Sequence, residues 1–472
     1  MPISIRANKD VIDMEYAVRG PIPQAAALLK EQGKEIIFCN IGNPQALGQS
    51  PLSFAREVLA LLENKALISR MRAYNRKLGI GSSNEEPFFS DYIIDYAEKL
   101  ISHFECGLGE YTESKGLKFI REAVARFIDR RDGPSSPPSD PENIILYNGA
   151  SEAAHQLIQI LIASRNDGIM IPIPQYPLYS AVIKKFGGIQ VNYYPDEDSG
   201  WPLHKSELER AFNEAVAKGI NIKAIVVINP SNPTGAILDE QSIKDVIDFA
   251  EEKGISIIAD EVYQENIYDD SRFISFAKVL GNRDVPLFSL HSVSKGFFGE
   301  CGHRGGYLEV RNPPKINGMN VNILDLLLKM ASVDLCSNTA GQALVYMMVN
   351  PPEKGSEPFE NFQSEKRRIL ETLAQKAKII KEAFAQMDGV RVFGRTGAMY
   401  LFPRLEKLPK GKNDFDYCMA LLEKTGICTV NGAGFGQKEG TYHFRIAFLP
   451  PVETLKRVLP RWIEFHNKYV NS

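Results

Sequence analysis

Cysteine is scarce: six residues in 472, at positions 39, 106, 301, 336, 418 and 428, with no two in a C-x-x-C pair. That density excludes a disulfide scaffold and fits a reducing compartment. The seven histidines show no H-x-x-x-H or H-E-x-x-H spacing, so no local zinc motif exists and metal catalysis is set aside. Positive charge is not in surplus, since 55 Lys and Arg face 58 Asp and Glu for a formal net charge of −3. Nucleic acid and anionic membrane surfaces are therefore poor candidates for partners. No apolar run approaches the roughly 18 to 20 residues of a membrane-spanning helix. The first ten residues lack an apolar h-region, and the last three, Val-Asn-Ser472, are no peroxisomal signal, which makes the cytoplasm the expected address. Internal repeats and low-complexity linkers are missing too.

What is present is an average globular composition, 44% hydrophobic and 24% charged, in a chain too long for one ordinary core. From about Asn143 short apolar runs alternate with helical patterns, which predicts an α/β fold with a mostly parallel sheet. The strand candidates are 144–147, 168–173, 224–228, 255–259 and 287–290, with helices at 153–163 and 242–252. After Asn350-Pro-Pro352 the texture changes to a long charged helix, 362–387, and short strands near 390–393, 398–402 and 443–448. The strand-like Ile36-Ile-Phe-Cys39 is expected to pack with them. The expected domains are an N-terminal arm (1–20), a smaller α+β domain (21–55 with 346–472) and a large domain (56–345).

Ligands of open parallel sheets bind beyond the carboxyl ends of the strands, and there the sequence is unusually rich in functional groups. The strand candidates run into Asn148-Gly-Ala-Ser151, Pro174-Gln-Tyr176, Asn229-Pro-Ser-Asn-Pro-Thr-Gly235, Asp260-Glu-Val-Tyr263 and His291-Ser-Val-Ser-Lys-Gly296. Each has an ordinary reading: Ser151 as a plain N-cap, Asn232 in a turn, Asp260 as a helix cap, Tyr176 as packing, Tyr263 as a rim aromatic, Arg304 as a surface arginine. Lys295 is the exception, because a lysine seldom follows a buried strand, and in an enclosed crevice its amine becomes a nucleophile toward carbonyls. Together, a phosphate cradle, carboxylate, phenol, amide, ring and lysine match the needs of pyridoxal 5'-phosphate.

On these residues the chain resembles the fold-type I pyridoxal-phosphate aminotransferases, and within them the alanine aminotransferases, over nearly its whole length. The specific stretches are Val18-Arg-Gly-Pro-Ile-Pro23, Asn40-Ile-Gly-Asn-Pro44, Leu108-Gly-Glu-Tyr-Thr112, Val227 to Gly235, Ala259 to Gln264 and His291 to Val310. The resemblance implies that the large domain binds the cofactor and that Lys295 is both Schiff-base lysine and proton carrier. It implies that Asp260 pairs with the pyridine nitrogen, Tyr263 and Asn232 with O3', and that Tyr176 stacks on the ring. Ala150, Ser151, Ser292 and Arg304 would bind the phosphate, joined by Tyr111 from a second subunit, so that a homodimer shares its active sites. Gly42, Asn232 and Arg445 would bind substrate, Arg445 clamping the α-carboxylate; without the resemblance Arg445 reads as a salt-bridged edge arginine. Arg19 is a candidate for closing over the substrate.

The implied reaction moves the amino group of L-alanine to 2-oxoglutarate, giving pyruvate and L-glutamate by ping-pong kinetics through pyridoxal and pyridoxamine phosphate. The alternatives are a glutamate:glyoxylate or other small-amino-acid aminotransferase, and a pyridoxal-phosphate carbon–sulfur lyase. The resemblance also suggests a cis peptide at Asn232-Pro233, aiming the Asn232 amide inward with Ser231 turned away.

Overall fold

A computed structural model describes residues 4–16, 19–80, 87–268 and 270–472. Met1 to Ile3 of the N-terminal arm and Val18 of the Val18–Pro23 stretch lie outside the described residues. The strands are β1 (Ile37–Phe38), β2 (Ile144–Tyr147), β3 (Asp167–Pro172), β4 (Ile189–Tyr193), β5 (Asn221–Ile228), β6 (Ser256–Asp260), β7 (Leu287–Ser292) and β8 (Gly306–Arg311). Then come β9 (Val390–Arg391), β10 (Tyr400–Leu401), β11 (Arg404–Leu405), β12 (Ile427–Cys428), β13 (Val430–Asn431) and β14 (Phe444–Ala447). Seven of them form one sheet in the order β2-β8-β7-β6-β5-β3-β4. The β4-β3-β5-β6 ladders are parallel and β2 runs antiparallel to β8. The expected α/β fold with a mostly parallel sheet is what forms.

By contacts the chain divides into two units, the first holding residues up to Gly48 with Ala154–Ser289 and Glu371–Ser472, the second Gln49–Ala153 with Leu290–Leu370. This cut falls within β7 and differs from the domain boundaries read from the sequence. In the first unit, β5 and β6 bury Ile225, Val227, Ile257 and Ala259 against Ile243, Val246, Ile247 and Ala250 of helix Glu240–Lys253. That helix starts where the Asp239 carboxylate accepts from the Ser242 N–H at 2.8 Å and stops at Gly254, which takes the left-handed conformation (φ 63°). Each such buried Ile or Val contributes roughly 1.5–3 kcal/mol, and burial on both faces is why these strands read as continuous apolar runs. The smaller sheets also belong here: β1 with β12 in parallel, and β14 between β10 and β13. The second unit packs Phe54 of helix Ser53–Glu63 edge-on against Tyr96 (4.9 Å between centroids) and Phe362 (5.9 Å), while β2 and β8 are almost wholly buried.

Two sheet strands escape an apolar-run reading. Edge strand β4 exposes Gln190 and Asn192. In β8 a buried charge interrupts the run: Glu309 is 2% exposed and accepts from the Ser139 hydroxyl at 2.7 Å. Among the described residues no helix is long and apolar enough to cross a membrane.

Candidate active site

In the first unit, β6 delivers Asp260 at its carboxyl end, 6% exposed. Its Oδ2 accepts from the Tyr179 phenol at 2.7 Å and its Oδ1 from the Val262 N–H at 3.4 Å. Burial, and then the neighbouring carboxylate, pushes the Tyr179 phenol well above its ordinary range, so it remains a donor. No helix starts after Asp260, since residues 262–265 form turns; the helix-cap reading fails. Tyr263 is buried, its O–H donating to the Tyr400 hydroxyl at 3.2 Å, and burial followed by Tyr400 pushes its phenol upward.

After β5 the chain turns through cis peptides at Asn229-Pro230 and, as expected, Asn232-Pro233. The turn closes with the Ser231 N–H on the Ala236 carbonyl at 2.8 Å and the Gly235 N–H on the Ser231 carbonyl at 2.9 Å. Gly235 is required: its φ is +73° and a Cβ would lie 2.7 Å from the Tyr400 carbonyl oxygen. Asn232 faces inward, its Oδ1 accepting from Arg445 Nη1 at 3.1 Å, while Arg445 Nη2 donates to the Asn40 carbonyl at 2.5 Å. Gly42 lies two residues beyond Asn40. The guanidinium is 1% exposed and sits between the rings of Tyr400 (4.4 Å) and Phe435 (4.5 Å). It pairs with no acidic residue among those described, and its Nε–H has no acceptor. A salt-bridged edge arginine is thus ruled out, because β14 is the central strand of its sheet and no carboxylate among the described residues meets the side chain.

Tyr176 is half-buried and its hydroxyl lies 2.8 Å from that of Tyr16, with burial and then Tyr16 pushing its phenol upward. The N-terminal segment is fastened by Asp10 to Arg165 at 2.7 Å and by Asp13 to Lys184 at 3.6 Å. Arg19 is exposed.

In the second unit, β2 runs through Tyr147 into Asn148-Gly149 and a helix begins at Ala150, so the N–H groups of Ala150 and Ser151 lie in a first turn that has no intrahelical acceptors. Ser151 is inside that turn rather than its N-cap. Arg304, in the left-handed region at φ 54°, donates through Nη2 to the Asn148 carbonyl (2.9 Å) and Ser151 Oγ (3.2 Å) and through Nη1 to the Cys301 carbonyl (2.9 Å). Gly149 makes room for it, since a Cβ would sit 2.6 Å from Nη2. A surface arginine does not describe this cradle. Ser292 Oγ lies 3.0 Å from both Ser294 Oγ and the Gly305 carbonyl and accepts from the Ser294 N–H at 3.1 Å. Lys295 follows in the turn beyond β7, half-buried, its carbonyl accepting from the Gly299 N–H at 3.3 Å. Tyr111 joins neither group and is 77% exposed.

Several partners were not read from the sequence: Tyr16, Tyr179, Tyr400, Phe435 and the Asn40 carbonyl. Tyr179 had a signal, the aromatic spacing Tyr176–Tyr179 entering a helix; the others had none. The donor set suits pyridoxal phosphate: a buried carboxylate backed by a phenol, a guanidinium held by neutral acceptors at a helix start, and a lysine between them in the motif order.

Residues 82–461 match the family described as aminotransferase class I and II. The chain belongs to this family. Aminotransferases of this class depend on pyridoxal phosphate. The chain is 41% identical to alanine aminotransferase 2, mitochondrial, of Arabidopsis thaliana, over 100% of this chain and 88% of that one. It is 42% identical to the inactive alanine aminotransferase of Saccharomyces cerevisiae (98% and 93%) and 40% identical to glutamate–glyoxylate aminotransferase 1 of Arabidopsis thaliana (98% and 96%). Among solved structures, an alanine aminotransferase from Pyrococcus furiosus matches with a TM-score of 0.77 at 25% identity, covering 98% of this chain and all of that one.

Proposed function

We propose that this aminotransferase exchanges the amino group between L-alanine and 2-oxoglutarate, giving pyruvate and L-glutamate in ping-pong fashion. The observation that carries the reading is Arg445, a buried cation with an unmatched N–H and no acidic partner among the described residues, a socket for a substrate α-carboxylate. Similarity alone would not carry it, since a relative of 42% identity is named inactive.

Pyridoxal phosphate, when bound, supplies an electron sink for charge developing at the substrate Cα. Arg445 would clamp the carboxylate, with Asn232 and the Gly42 backbone beside it. The Lys295 amine would take the Cα proton and return it. Asp260, kept as an acceptor by the Tyr179 donor, would hold the proton on the pyridine nitrogen, with Tyr263 and Asn232 toward O3' and Tyr176 on the ring face. Ala150, Ser151, Ser292 and Arg304 would hold the phosphate. Tyr111 would reach it from a second copy, a role its exposure supports; mixing Lys295→Ala and Tyr111→Phe subunits should then restore activity. The proposed small domain is 21–55 with 346–472 and the large one 56–345. The proposed compartment is the cytoplasm, supported by six free thiols; fractionation decides against the mitochondrion, which the names of some relatives raise.

The deciding assay adds L-alanine to the holoenzyme and measures pyruvate, then adds 2-oxoglutarate and measures glutamate. The relative named for glyoxylate favours a second reading, and faster turnover of glutamate with glyoxylate than of alanine with 2-oxoglutarate would establish it. Ammonia released from a sulfur amino acid without an acceptor would indicate a lyase.

A further inference from the structure

The loop from Ser294 to Arg304 has little stiffness of its own, for Gly296 and Gly299 both adopt φ 66°. A side-chain fork ties it to a neighbouring helix. Glu300 is 2% exposed and meets Arg56 of helix Ser53–Glu63 through two parallel bonds, Nε to Oε1 and Nη2 to Oε2, each 3.0 Å. His303 Nδ1 lies 2.8 Å from Oε2. The Arg56 side chain is 41% exposed, and an ion pair with one partner open to water adds little net stability, whereas a bidentate fork fixes direction.

That direction reaches both cations of the loop. The Glu300 N–H donates to the Val293 carbonyl at 2.9 Å. The next residue, Cys301, donates its thiol to the Ser294 carbonyl at 3.1 Å and offers its own carbonyl to Arg304 Nη1 at 2.9 Å. Displacing Glu300 therefore displaces the peptide before Lys295 and an acceptor of Arg304 together.

We infer that Glu300, locked by Arg56, is a positioning residue that presents Lys295 and Arg304 to the cofactor as a fixed pair. The inference rests on the proposed reading that these two residues bind pyridoxal phosphate. Loss of an outer partner costs about ten- to a hundredfold in affinity at metal centres, and a loss of about tenfold in pyridoxal-phosphate affinity is expected for Glu300→Gln and for Arg56→Lys, which keeps the charge but not the fork.

The test measures, on holoenzymes, the cofactor dissociation constant, the pH midpoint of the cofactor's visible absorbance and the melting temperature. The double variant Arg56→Met/Glu300→Met separates positioning from support: it should melt like the wild type yet bind cofactor more weakly with a displaced midpoint. Wild-type affinity and midpoint in that double variant, or in Arg56→Lys if the others fail to fold, would overturn the inference. Borohydride reduction of the wild type with peptide mapping guards the premise. An adduct on Lys295 with unaltered variants defeats only the positioning role, whereas no adduct on Lys295 defeats the proposed function and this inference with it.

Discussion

The lysine loop and the arginine socket solve the same problem, holding a cation ready, by opposite means. From Ser292 to Gly305 many fastenings are local: Ser292 to Ser294 and Gly305, Cys301 to Ser294, Arg304 to Cys301, with Arg56, Asn148 and Ser151 as outside anchors. Arg445 is held by Asn232, 213 residues away, and by Asn40, 405 residues away, between the rings of Tyr400 and Phe435. The loop is fastened through Ser292, Glu300, Cys301 and Arg304, so Lys295 can be removed with these fastenings intact. The socket's cation is itself the joint between three segments, and it carries a desolvation cost that no carboxylate offsets.

The largest effect should separate chemistry from shape. Lys295→Ala is expected to lower turnover by more than about 10³-fold, since nucleophile and proton carrier are lost together, while the melting temperature stays within a degree or two. A collapsed melting temperature would show that the lysine is structural and break the contrast. Next, Arg445→Met should lower kcat/KM for the amino acid by about 10- to 150-fold, the worth of a charge-assisted hydrogen bond of about 1.5–3 kcal/mol. Its melting temperature should be no lower than that of the wild type, because an uncompensated buried charge leaves the core; marked destabilisation would mean that the hydrogen bonds to Asn40 and Asn232 outweigh the desolvation.

A smaller change sharpens the role of Asp260. Tyr179→Phe removes one donor worth about 1 kcal/mol net, so turnover should fall about fivefold with KM for the amino acid unchanged; a change confined to KM would move Tyr179 to substrate binding. The smallest effect concerns a titrating group elsewhere in the first unit. His466 is buried, with Nδ1 3.0 Å from the Tyr417 hydroxyl and Nε2 2.9 Å from the Asp388 carbonyl, and burial lowers its proton affinity. The folded state therefore binds this proton less readily than the unfolded state, whose pKa is about 6.5. The histidine's contribution is full above that value and is lost as pH falls below it. Urea melts of wild type and His466→Gln between pH 7.5 and 5.5 should show the wild type losing more stability on acidification; parallel slopes would refute this.

The same contrast explains what was legible. Apolar runs bounded by turn residues set the positions of β2, β3, β5, β6 and β7 to within a few residues, because a strand buried on both faces has no freedom to be polar. Motif order then placed Lys295, Asp260 and Asn232 after strands and Arg304 in the glycine-rich run that follows, and the turn chemistry of Asn232 to Gly235 follows from residues that are adjacent in the chain. β4 and β8 were hidden by exposed polar residues and by buried Glu309, which is held by Ser139 from far off in sequence and by Arg311 two residues on. The partners of Tyr400 and Tyr179 at the two phenol contacts, and the Asn40 carbonyl under Arg445, were decided only by the tertiary structure. Hydrogen bonds that span 81, 137 and 405 residues leave no local period or spacing. Nor could the sequence decide between an edge arginine and a buried one: that depended on β14 lying between β10 and β13, and strand order is a property of the assembled sheet.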